Sequence, residues 1–110
     1  MKSKNLLKIN ALAFLLMLCG SLFAQIQTFE WQGVQRQYLV RAPQQTEKTT
    51  MPVLYFLHGW TDNITHVDNE FHFQQVANEF GWTIVIPQAL DEGWGTMWNA
   101  GLNPSNTDDS

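Results

Sequence analysis

Along the chain the spacing of apolar and polar positions changes rhythm several times, and each rhythm predicts an element. Residues 26–32 (IQTFEWQ) alternate, and residues 35–42 (QRQYLVRA) alternate less cleanly around Tyr38 and Val40. With Gly33 between them, the two runs predict an antiparallel hairpin with one wet face. A polar loop follows over residues 43–52. Residues 53–57 (VLYFL) are an unbroken apolar run that stops at His58-Gly59, the pattern of a strand buried on both faces of a helix-covered sheet. After a further polar loop, Phe73, Val76, Ala77 and Phe80 recur at the spacing of one helical face, and Gly81 supplies a stop. Residues 82–86 (WTIVI), closed by Pro87, predict a second apolar strand, so that strand, helix and strand make a βαβ unit. Residues 88–106 hold Gly93, Gly95, Gly101 and Pro104 among two tryptophans and predict a loop. Thr107-Asp108-Asp109 has the hydroxyl cap and early acids of a helix start.

The N-terminus has a different character. Lys2, Lys4 and Lys8 precede the apolar stretch ALAFLLML at residues 11–18, and small residues lead to Ala24 before the polar Gln25. This predicts a signal peptide over 1–24, since a membrane span needs about 20 apolar residues. The expected location is secreted, either extracellular or periplasmic. Leu18 stands where a lipoprotein signal wants a small residue before Cys19, so the lipoprotein reading is the weaker one. Cleavage after Ala24 takes the lone cysteine and three lysines with it. Residues 25–110 then carry ten acidic groups against Arg36, Arg41 and Lys48, a net charge of −7 where the whole chain has −4. That balance excludes a basic nucleic-acid footprint and disfavours stable membrane association after cleavage. Without disulfides, a body this small depends on a marginal core.

Candidate chemistry sits at His58-Gly59-Trp60-Thr61, at the C-terminal end of the first apolar strand, the edge where ligands bind in parallel α/β sheets. A glycine there allows a sharp turn with outward main-chain N–H groups. In hydrolases such a turn forms part of an oxyanion hole. Gly59 and Trp60 are the candidates for it, with the Trp60 N–H as donor, Thr61 beside it and His58 bracing the turn; the plainer reading is an ordinary strand-end turn. Trp94 and Trp98 are candidate groove aromatics for a sugar or phenolic ring, with packing of the loop onto the sheet as the plainer role. The spacing of His58, His66 and His72 among Asp62, Asp68 and Glu70 fits no metalloprotease pattern, so no metal and no other cofactor is expected. Asn63-Ile64-Thr65 matches a glycosylation sequon, read as chance.

Taken in order, Tyr38-Leu39-Val40, PVLYFLHG at 52–59, GWTIVIPQ at 81–88, Trp98-Asn99-Ala100-Gly101 and Asp108-Asp109 make the chain resemble secreted α/β-hydrolases of the polyhydroxybutyrate depolymerase and feruloyl esterase type. The resemblance covers nearly all of residues 25–110. It implies an α/β fold, the N-terminal half of a doubly wound α/β-hydrolase sheet in which an antiparallel hairpin is followed by a βαβ unit. It also implies a serine esterase acting on a polyester, a feruloylated or acetylated polysaccharide or a short ester, with a peptidase as the variant within the class. Its G-x-S-x-G nucleophile elbow is absent from these 110 residues, so no catalytic triad residue is assigned and the triad is expected downstream. Residues 25–110 alone are therefore expected to leave a strand edge open, to fold poorly and to be inactive. The competing readings are a small secreted carbohydrate-binding module built on Trp94 and Trp98, and a non-functional remnant of a longer gene.

Overall fold

The computed structural model describes residues 25–99 and residue 109. Strands β1 (Gln27–Trp31) and β2 (Val34–Arg41) form the expected antiparallel hairpin. Its two-residue connection has Gln32 at φ 51° and Gly33 at φ 77°, the left-handed pair that matches the natural strand twist. Its solvation differs from expectation. Phe29 and Trp31 stay about half exposed and Thr28 and Glu30 are exposed as well, so β1 is wet on both faces. As the outermost strand, it pairs only with β2 among the described residues.

Strand β3 (Val53–Tyr55) is followed by helices α1 (Ile64–Phe71) and α2 (Phe73–Phe80), then by β4 (Thr83–Pro87) running parallel to β3. The sheet order is β1-β2-β4-β3, with β2 antiparallel to β4. This is a mixed four-stranded sheet with two helices, an α/β arrangement. Helix α2 ends where the pattern placed its stop: Gly81 adopts φ 69° and its N–H donates to the Ala77 carbonyl at 2.9 Å.

Helix α1 replaces part of the expected polar loop. Ile64, Val67 and Phe71 give it an apolar stripe, and the Asn63 side chain caps it by accepting from His66 N at 2.9 Å. His72, in the left-handed region at φ 52°, breaks the path between the helices. Both helices supply residues to one core. Leu39, Ile64, Val67, Phe73, Ala77, Ile84 and Ile86 are buried together, with Phe56, Val76 and Trp82 packed against them. Ile84 and Ile86 are wholly inaccessible, and burial of each stabilises the fold by about 1.5–3 kcal/mol. Arg41 clamps β2 to α1 through a two-bond contact with Asp68, Nε lying 3.1 Å from Oδ1 and the second guanidinium nitrogen bonding Oδ2. That contact holds the Arg41 guanidinium above its ordinary pKa.

The expectation for residues 53–57 needs correction. The regular strand stops at Tyr55, and its apolar residues are not buried on both faces: Val53, Tyr55 and Leu57 are 55%, 67% and 58% exposed. Their strand alternation places them on the face away from Leu54 and Phe56, and Phe56 packs on Phe71 and Phe73 below the helices. An apolar run shows that a strand is sticky, not how many of its faces are covered. The better-covered strand is β4, which has a strand on either edge, is buried on one face at Ile84 and Ile86 and is half-buried on the other at Thr83, Val85 and Pro87. The expected loop from 88 onward contains a further small hairpin, β5 (Leu90–Asp91) and β6 (Thr96–Met97). The expected signal peptide lies outside the described residues, as does the expected helix start at 107–109 apart from Asp109.

Candidate functional site

The parallel ladder runs one residue past β3, where Phe56 N donates to the Val85 carbonyl, and the chain then enters the His58-Gly59-Trp60-Thr61 turn. His58 is 2% exposed. Its Nε2 accepts from Ala89 N and lies 3.0 Å from the Gln88 side-chain nitrogen, which leaves Nδ1 as the protonated nitrogen, 2.9 Å from the Gly59 carbonyl. Gln88 in turn accepts from Ile64 N at the head of α1, and its own backbone N–H bonds the Gln37 carbonyl. One imidazole and one amide thus tie the turn to α1, β2 and the residues leaving β4. With both ring nitrogens engaged, His58 holds the turn in place and offers no lone pair to a substrate.

Asp62 N donates to the Gly59 carbonyl at 3.2 Å, closing a four-residue turn with Trp60 and Thr61 at its centre. Gly59 itself is not the residue in an unusual conformation: a Cβ there would meet nothing within 4 Å, and no positive φ is imposed on it. Thr61 is, at φ 67°. A β-branched residue in that region is a rare departure worth roughly 1–3 kcal/mol of strain. The β5–β6 hairpin holds it there. Thr61 N donates to the Thr96 carbonyl at 2.8 Å, the Thr96 hydroxyl donates to the Asp62 carbonyl, and Gly95 lies so close that a Cβ on it would stand 2.7 Å from Thr61 Cγ2. The geometry leaves the Trp60 N–H without a hydrogen-bond partner among the described residues, next to the bare face of Gly59.

Electrostatics around the turn are acidic. The Asn63 backbone N–H, and after it the His66 imidazole 2.7 Å away, hold the Asp62 carboxyl below its ordinary range. Among the described residues no three His, Cys, Asp or Glu side chains converge as a metal site, and no helix is long and apolar enough to cross a membrane.

The two candidate groove tryptophans part company. Trp98 donates its indole N–H to the His58 carbonyl at 2.8 Å and lies ring to ring with His58 at 5.2 Å. Trp94 is 78% exposed at the tip of the β5–β6 hairpin. Trp98 also lines a cleft of about 340 Å³ with Phe29, Trp31, Arg36, Pro87 and Asp109. Within that lining Arg36 pairs with Asp109, whose second oxygen accepts from Asn99 N while its own N–H donates to the Asn99 carbonyl. Sequence reasoning missed this pair, which pins the Trp98–Asn99 segment to β2. The one available signal was an arginine inside an alternating strand in a body with three basic residues, and nothing local named its partner 73 positions away. Comparison with family models, with curated proteins and with solved structures gives no match to this chain.

Proposed function

We propose that this chain supplies the oxyanion-binding part of an exported serine esterase of the α/β-hydrolase class, acting on polyhydroxyalkanoate, feruloyl or acetyl esters. The observation that carries the reading is the turn after β3: a bare Gly59, a Trp60 N–H with no partner among the described residues, and a strained Thr61 held by its neighbours. Such a site suits a negative charge that forms only as a carbonyl is attacked, because its donor is already oriented and needs no reorganisation. The attacking serine, with its histidine and carboxylate, belongs to chain beyond Ser110 in this proposal; acyl transfer to the serine and then to water completes the turnover. The charge of residues 25–110 and the N-terminal pattern support an exported protein that binds neither nucleic acid nor membrane.

The test uses the protein expressed from its complete reading frame, assayed on p-nitrophenyl acetate, hydroxybutyrate oligomers and methyl ferulate. Trp60 occupies the second position of its turn, where proline is well tolerated, so Trp60→Pro removes the donor N–H with little damage to the turn. Relative to Trp60→Ala, which keeps the N–H, Trp60→Pro is expected to lower kcat about 100- to 1,000-fold at similar KM. Equal rates in the two variants, or a reading frame that stops at Ser110, would overturn the proposal.

A further inference from the structure

Two large exposed indoles remain beside the turn after the oxyanion donor is accounted for. Trp60 is 68% exposed and Trp94 78% exposed. Trp60 precedes Thr61 and Trp94 precedes Gly95, and these two following residues are in direct contact. Neither indole rides on a loose segment. Trp94 is flanked by Gly93 and Gly95 at φ 86° and 101°, the Gly93 N–H is held by the Asp91 carboxylate at 2.9 Å, and β6 is bonded to the turn through Thr61 and Thr96. Solvent-facing indoles carried on two chain segments that touch each other mark a contact surface, and Trp98 is the packed member of the group.

The chemistry around them narrows the ligand. The two segments, 58–62 and 90–97, carry Asp62, Asp91 and Glu92 and contain no lysine or arginine. Carboxylates repel acids and accept hydrogen bonds from hydroxyl groups. Indole faces are electron-rich and attract the polarised C–H groups on the flat side of a sugar ring. We infer that Trp60 and Trp94 form a stacking subsite for a neutral pyranose ring of a glycan, at the oxyanion turn to which Trp60 itself belongs. Ring binding stands on the two indoles; its use in presenting an ester to the Trp60 N–H rests on the esterase reading.

Tryptophan fluorescence and calorimetric titration of the full-length protein with xylohexaose test the inference. Saturable binding is expected, with Kd raised roughly tenfold in Trp94→Ala and in Trp60→Ala, and largely restored in Trp94→Tyr, which keeps a stacking face. A hexagalacturonate of equal length should bind at least tenfold more weakly than xylohexaose. An unchanged Kd in Trp94→Ala, no saturable binding of xylohexaose, or dependence on Trp94 for methyl ferulate or hydroxybutyrate trimer in place of the glycan would overturn it. Turnover of p-nitrophenyl acetate separates the two readings. Activity without glycan binding defeats only the stacking subsite, and glycan binding without activity defeats only the esterase.

Discussion

Apart from His72 between the helices, two turns among the described residues place a non-glycine residue in the left-handed region, and they do so for opposite reasons. The β1–β2 connection uses Gln32 and Gly33, a pairing whose backbone matches the twist of the strands it joins. Nothing presses on it: a Cβ at Gly33 would meet no atom within 4 Å. The turn after β3 puts a β-branched threonine where glycine or asparagine belongs and packs a hairpin around it. The first turn follows local preference and serves only to reverse the chain. At the second, local preference is overruled by tertiary contacts, and that is where the open N–H and the exposed indoles gather. A broken local rule that neighbours hold in place is the pattern expected of a functional position.

The contrast can be broken by substitution. Gly95→Ala meets both a φ of 101° and the 2.7 Å approach to Thr61, and it is expected to cost about 3 kcal/mol in denaturant unfolding. Gly33→Ala meets only its φ, so about 1 kcal/mol is expected, and equal losses at the two sites would erase the distinction. Thr61→Gly should move the other way. Relief of strain less the entropy of glycine leaves a stabilisation of about 1 kcal/mol, coupled to a fall in kcat in the full-length protein if the strain aims the Trp60 N–H. The smallest effect concerns pH. Asp62 has a depressed pKa in the folded state, so its contribution is present above the ordinary aspartate range near pH 4 and is lost as pH falls through the folded value. Asp62→Asn should flatten that part of the stability profile, and an unchanged acid slope would show that the Asn63 and His66 contacts do not matter there.

Elements governed by short-range periodicity were legible. The hairpin, α2 with its Gly81 stop, and β4 follow from alternation, a helical stripe and an apolar run. The missed helix α1 had signals of its own, Asn63 as a cap and Ile64, Val67 and Phe71 on one face, but the interleaved Thr65, His66, Asp68, Asn69 and Glu70 masked them. The two-residue strands β5 and β6 had no such signal, because bonds between Thr96 and the distant turn residues Thr61 and Asp62 fix them. Within the site, His58 and Gly59 stood out from their position after an apolar strand. The strain at Thr61, the close approach of Gly95 and the division of labour between Trp94 and Trp98 depend on residues 30 or more positions apart, and no local pattern carries them.

The Arg36–Asp109 pair sets an order of assembly. It joins residues 73 apart, and the neighbouring bond from Trp98 to the His58 carbonyl spans 40. Closing loops of that length costs more chain entropy, before their contacts can offset it, than closing a two-residue hairpin. In refolding, β1 and β2 should therefore pair early, while the segment carrying Trp98 and Asn99 docks late. The floor beneath the Gly59–Trp60 turn is then among the last parts of the described structure to become rigid. A stopped-flow signal from Trp98 should lag behind the formation of backbone structure.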